Sequence, residues 1–209
     1  MGRGPAALEA VADALAADGL CIRSDFFPAE LITALARDAH ARFAEFQPAG
    51  TGAGPGRALR PQVRGDSTLW LESPGRSRAQ RAALARFEML RLALNGELHL
   101  GLFDFECHFA VYPPGAGYRR HFDRLAGDAQ FAGAGGRVLS CVLYLNRHWP
   151  PEDGGQLRLY RPGAPALDVA PQGGTLVVFL SDRFEHEVLP ARRERLSLTG
   201  WFRRRGQHL

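Results

Sequence analysis

The segment 103-FDFECHFAVY-112 decides the fold class. Its residues alternate. Phe103, Phe105, Cys107, Phe109 and Val111 fall on one side of an extended chain, and Asp104, Glu106, His108, Ala110 and Tyr112 on the other, because successive strand side chains point to opposite faces. Strand-like text recurs at 137-RVLSCVLYLN-146, 155-GQLRLY-160, 166-ALDV-169, 174-GTLVVFL-180 and 195-RLSLTGWF-202, separated by PPGAG, PPEDGG, RPGAP and PQGG. Many short strands with such turns predict a sandwich or barrel.

Upstream the period changes. Residues 6–17 space their apolar side chains near 3.6, and Gly19 suits the position after a helix end. A short strand follows at 20–23. The stretch 24-SDFFPAE-30 then offers capping residues and a proline suited to a helix start, so a second helix is predicted to run to about Phe46. Residues 49–61 read as a Gly-rich flexible loop, and 62-QVRGDSTLWLES-73 as a hairpin turning at 65–67. A third helix is predicted from Ser77 to about Leu98, with Leu84, Phe87, Leu90 and Leu94 along one side. The expected fold class is mostly β, with N-terminal helices packed outside the strands. Residues 1–61 are expected to form a helical support segment and 62–209 the main domain, with a hairpin at 62–73, the two together making one structural unit.

Composition sets limits without giving a function. A chain of 209 residues, 45% apolar and 23% charged, is an ordinary globular protein of one domain. No apolar run is long enough to span a bilayer. The N-terminus carries Glu9, Asp13 and Asp18, which suits a helix of the mature protein rather than a signal peptide. The three cysteines, Cys21, Cys107 and Cys141, form no metal spacing, so buried reduced thiols in a cytoplasmic protein are expected. The net charge of +4 gathers in clusters such as 192-RRER-195 and 203-RRR-205. A solvated basic surface is preferred here over a nucleic-acid interface.

The chemistry begins at 117-GYRRHFDR-124. On a strand, His121 and Asp123 would point to the same side. His186, in 181-SDRFEHEVLP-190, supplies a third ligand. Two imidazoles and a carboxylate on one face of a metal, with open positions opposite, are used by non-haem Fe(II) oxygenases. H-x-D alone is a weak signal. The segment 195-RLSLTGWF-202 adds to it, since Arg195, Ser197, Thr199 and Trp201 share one strand face. An arginine buried there is costly without an anion. A dicarboxylate co-substrate would meet that need by chelating the metal at one end and pairing with Arg195 at the other. The competing reading pairs Arg195 with Glu187 or Glu194.

Taken together, YPPGAGYRRHFD, GRVLSCVLYLN, GGQLRLY and SDRFEHEVLPARRERLSLTGWF resemble the prolyl hydroxylase domain family, the Fe(II)- and 2-oxoglutarate-dependent oxygenases of the oxygen-sensing type and their bacterial relatives. The resemblance covers about residues 62–202. It implies a double-stranded β-helix, or jelly roll, with iron on His121, Asp123 and His186, and O2 as the oxidant. It further implies a 2-oxoglutarate carboxylate held by Arg195 and Tyr144, with Tyr112 nearby and Thr199 beside the arginine. The 64-RGDSTLW-70 hairpin resembles the family's finger loop, with Arg64, Asp66 and Trp70 at matching positions. Arg137, Val142, Leu157, Val188 and Trp201 correspond to residues lining the approach of the target proline.

Three features depart from the animal sensors. The turn between Tyr112 and His121 is one residue shorter, the 49–61 loop has no counterpart, and His108 replaces an apolar residue. A packed, hydrogen-bonded histidine is the expectation for His108. The resemblance implies hydroxylation of a prolyl residue in a protein, with a translation factor, elongation factor Tu, as first candidate. The alternatives are a same-fold oxygenase acting on nucleic acid or a small molecule, and a non-oxygenase metal-binding module or Zn(II) hydrolase.

Overall fold

A computed structural model describes residues 4–51, 58–123, 136–161 and 163–205; the centre of the predicted Gly-rich loop, residues 52–57, lies outside them. Helix α1, Gly4–Asp18, ends at Gly19, whose φ of 71° favours glycine. Strand β1, Leu20–Arg23, follows as predicted. Helix α2, Ala29–Ala41, stops short of the predicted Phe46, and residues Phe43–Glu45 form a tighter 3-10 turn. The chain then extends as β2, Gln47–Pro48. Pro48 disfavours helical geometry at the residue before it, so the helix yields to a strand pairing.

Helix α3, Arg78–Leu98, is capped by the Ser77 side chain, which accepts from the Gln80 backbone N–H at 3.0 Å. It leads into β4, Leu102–Tyr112. The remaining strands are β5 (Tyr118–His121), β6 (Arg137–Tyr144), β7 (Leu157–Tyr160), β8 (Leu167–Val169), β9 (Leu176–Leu180), β10 (Glu185–Val188) and β11 (Arg195–Arg204). With β3, Ser67–Trp70, they form two antiparallel sheets. The larger has the order β1-β9-β6-β11-β4-β3-β2, and the smaller β5-β10-β7-β8.

The alternation of β4 assigns its side chains to two cores. Cys107, Phe109 and Val111 join Leu196, Leu198 and Phe202 of β11 beneath the helices, while Ala110 and Tyr112 face the smaller sheet with Leu157, Leu159 and Val188. The helix side is tied down by Phe87 of α3, whose ring stacks on Phe105 at 4.3 Å and sits against Phe202 at 6.3 Å. Phe87 is almost wholly buried. Phe87→Ala is expected to cost about 3–5 kcal/mol, measured as a lower midpoint in denaturant.

Residues 62–73 do not form the predicted hairpin. Only Ser67–Trp70 is a strand, and it pairs with β2 and with residues 108–111 of β4. Before it, Arg64 bridges to Tyr118 and the Gly65 N–H donates to the Gly117 carbonyl at 2.9 Å. The segment therefore crosses from the edge of the small sheet to the large one. Gly65 permits the crossing, since a Cβ there would sit 2.9 Å from the Ala116 Cβ.

Among the described residues no helix is long and apolar enough to cross a membrane. All three cysteines are unpaired and buried, and burial pushes the Cys107 thiol up to about 12. The C-terminal basic cluster is engaged within the fold. Arg203 binds Asp104 through two hydrogen bonds of 2.9 and 2.6 Å and reaches Glu106, and Arg205 lies over the Phe103 ring.

Candidate active site

A cavity of about 660 Å³ opens between the two sheets. His121, Asp123 and His186 meet on its wall, each offering a ligand atom within 4.8 Å of the others. The two histidines face each other across the β5–β10 pairing, their rings 4.3 Å apart. Asp123 is not on a strand. It lies in the bend after β5, and the turn brings its carboxylate 3.6 Å from His121 Nε2 and 3.5 Å from His186 Nε2. The intervening Phe122 is half exposed.

Backbone carbonyls orient both imidazoles. The Arg119 carbonyl lies 2.7 Å from His121 Nδ1, and the Phe184 carbonyl 3.2 Å from His186 Nδ1. Protons on those two nitrogens leave each Nε2 lone pair free for a metal. Burial opposes charge on Asp123, but His186, His121 and the Ser140 hydroxyl hold its carboxyl well below the usual carboxylate range. Ser140 donates to Asp123 at 2.7 Å and contacts the Ser181 hydroxyl at 2.9 Å. Burial also lowers the pKa of His186 against the pull of Asp123. Neutral imidazoles and an ionised carboxylate are the ligand forms a divalent metal needs, and two nitrogens with one oxygen suit Fe(II) with positions left open.

Arg195 lies in the same cavity and is only 2% exposed. Its Nε donates to the Gly155 carbonyl at 2.9 Å, and its guanidinium carbon lies 5.2 and 5.0 Å from the Tyr112 and Tyr144 ring centres. Neither glutamate considered as its partner serves it. Glu194 contacts His40, and Glu187 accepts from Tyr160. The buried Tyr144 hydroxyl has no partner among the described residues. Burial raises the pKa of both tyrosines, so both remain phenols able to donate. A buried cation beside an unpartnered phenol fits a carboxylate, the group that 2-oxoglutarate would bring. Thr199 lines the cavity near them and contacts Ser197 at 3.2 Å.

Arg64, Asp66, Trp70, Arg137 and Trp201 also line the cavity, with Val142, Leu157 and Val188 as apolar wall. Arg64 and Asp66 form a largely buried pair. Arg64 holds Asp66 through two hydrogen bonds of 2.7 and 3.0 Å, and Asp66 is 3% exposed. Charged side chains read as surface residues in sequence, and here the adjacent partner makes burial tolerable. Arg64→Ala alone is therefore expected to destabilise the fold by about 3–5 kcal/mol, because it strands a buried carboxylate. The Arg64→Ala/Asp66→Ala protein should recover part of that loss in a denaturant titration.

Several neighbours were not anticipated. Tyr118 stacks on His121 at 3.6 Å, and Ser140 orients Asp123; a serine interrupting the apolar run RVLSCVLY was the available signal. His108 is buried as expected, but among the described residues its Nδ1 has no hydrogen-bond partner, where a bonded ring was expected. A second cavity of about 740 Å³, beside α2, gathers none of the predicted residues.

Comparison with known proteins agrees with this geometry. The profile of the 2OG-Fe(II) oxygenase superfamily matches residues 107–203. A prolyl-4-hydroxylase from Pseudomonas putida is 50% identical, with a TM-score of 0.84 over 95% of this chain and 100% of that one. A prolyl hydroxylase from Trichoplax adhaerens, solved with a hypoxia inducible factor peptide fragment, is 26% identical with a TM-score of 0.81, over 95% of this chain and 89% of that one. Human Egl nine homolog 1 is 34% identical over 150 residues, which are 67% of this chain and 33% of that protein. The chain thus spans about a third of the length of that relative. With two facing sheets of jelly-roll type, the metal-ligand triad and an end-to-end match at half identity, the chain belongs to the prolyl hydroxylase family of 2OG-Fe(II) oxygenases.

Proposed function

We infer that this protein is an Fe(II)- and 2-oxoglutarate-dependent dioxygenase that hydroxylates a prolyl residue of a protein, with elongation factor Tu as first candidate. The observation that carries the reading is the buried Arg195 beside the unpartnered Tyr144 hydroxyl, in the fold that also gathers His121, Asp123 and His186. A Zn(II) hydrolase or a binding module has no use for that cation–phenol pair.

When bound, iron and 2-oxoglutarate supply the oxidative chemistry, consuming O2, releasing succinate and CO2, and leaving one oxygen atom on the prolyl carbon. The protein's residues do the rest. His121, Asp123 and His186 would hold the metal, Arg195 and the Tyr144 phenol would take the far carboxylate of the co-substrate, and Tyr112 and Thr199 would border that end. Val142, Leu157 and Val188 give the pyrrolidine ring an apolar, water-poor wall, with the Trp201 ring beside it.

The charged lining of the cavity favours a neutral substrate. Arg64 is committed to Asp66, and Arg137 pairs with Glu106 at 3.0 Å while its guanidinium lies 3.5 Å from the Trp201 ring centre. Paired cations offer little to a phosphate backbone, which supports a polypeptide over a nucleic acid. The buried unpaired thiols suit a cytoplasmic setting. The test supplies Fe(II), 2-oxoglutarate and purified elongation factor Tu, and compares succinate with hydroxyproline. Matched yields support the reading. Succinate without hydroxyproline removes this target, and no succinate at all removes the oxygenase.

A further inference from the structure

His108 lines the same cavity. It is 2% exposed, and its Nδ1 is sealed from solvent with no hydrogen-bond partner among the described residues. Two tryptophans flank it. Trp70, opposite it in the β3–β4 register, lies 4.7 Å away between ring centres, and Trp201 lies 5.4 Å away. The Trp201 Nε1 is also buried and has no partner among the described residues. An unmet buried donor or acceptor costs about 1–3 kcal/mol, so a fold that keeps two such atoms on neighbouring rings calls for an explanation.

The chemistry of the pair narrows the ligand. Indole N–H is a donor only, and a neutral imidazole nitrogen donates or accepts according to tautomer. Burial, then Arg64 and Arg137, push the His108 pKa down to about 3, so the ring is uncharged at ordinary pH. With both arginines committed to carboxylates, the pole is polar and neutral. That matches a main-chain amide and matches neither a carboxylate nor a phosphate.

We propose that His108, together with the Trp201 indole N–H, is the subsite that binds a main-chain amide of the substrate polypeptide beside the target residue, and so helps set specificity. This rests on the reading of the cavity as a prolyl hydroxylase site. Trp70 is the half-exposed member of the cluster, at the last residue of β3. It is the ring that yields when the polypeptide reaches the sealed nitrogen.

The test uses the full chain with Fe(II) and 2-oxoglutarate, and a bacterial cell lysate as probe, with peptides that gain one oxygen mapped and quantified. His108→Leu keeps the bulk and removes the polar atoms; His108→Asn returns a polar atom near the Nδ1 position. His108→Leu is expected to slow peptide oxidation at limiting substrate by roughly tenfold, the scale of one buried hydrogen bond. It should leave substrate-free succinate formation unchanged and the Tm no lower, since an unmet polar group has been removed. His108→Asn should recover most of the lost rate. Equal oxidation by His108→Leu and wild type overturns the proposal, as does a parallel loss of both rates with a fall in Tm. The prolyl reading fails separately if wild-type oxygen lands on other residues, and the same comparison on those peptides still decides the role of His108. A wild type that forms succinate but oxidises no polypeptide overturns both.

Discussion

Alanine at His186 is expected to abolish 2-oxoglutarate turnover and to weaken Fe(II) binding by more than about 100-fold, beyond the loss seen when only a partner of a metal ligand is removed. His121→Ala and Asp123→Ala should behave alike. Among the described residues these three form the one cluster of histidine, cysteine and carboxylate groups able to hold a metal. Two remaining donors cannot keep an iron in place with positions still open. His186 has a further consequence, because its loss leaves the buried Asp123 carboxylate with one imidazole beside it instead of two. Ser140→Ala is the graded control. It deletes only the hydroxyl bonded to Asp123 and should cost about 10–100-fold in affinity. Fe(II) titration with succinate assay reads both effects, and full iron occupancy with normal turnover in His186→Ala would place the third ligand elsewhere.

Arg195→Lys is expected to raise the KM for 2-oxoglutarate by about 10- to 150-fold, the equivalent of the 1.5–3 kcal/mol of a charge-assisted hydrogen bond. An ammonium keeps the positive charge but not the planar fork that matches a carboxylate. It also cannot reproduce the geometry by which Nε donates to the Gly155 carbonyl while the rest of the guanidinium faces the tyrosines. Iron affinity should be unchanged, because Arg195 is not a metal ligand. An unchanged KM would make Arg195 a structural cation held by Gly155 and the aromatic rings.

The long strands were legible because their two faces meet two different environments. In β4 and β11 one face enters the helix-side core and the other the cavity side, so a plain alternation of residue types marks them. Strands β5 and β10 carry no such mark. Their sequences, YRRH and EHEV, each spend a cavity-facing position on a histidine, and Val188 is the one aliphatic residue they add there, so the chemistry weakens the pattern that would reveal the strand. The 62–73 segment misled for another reason. A turn residue between short extended runs looks like a hairpin, yet the partners of β3 are residues 47–48 and 108–111, and nonlocal pairing leaves no local trace. Arg195 was legible as a cation in an apolar strand. Ser140, Tyr118 and the unmet nitrogen of His108 needed the fold, since each matters through a neighbour distant in sequence.

The most direct measurement of the central claim is turnover under heavy-isotope O2 with a protein substrate, followed by mass spectrometry of both products. The account predicts one labelled oxygen in succinate for each labelled oxygen on a prolyl residue, with none derived from water. Succinate formation that does not depend on O2, or a product oxygen drawn from water, would contradict it.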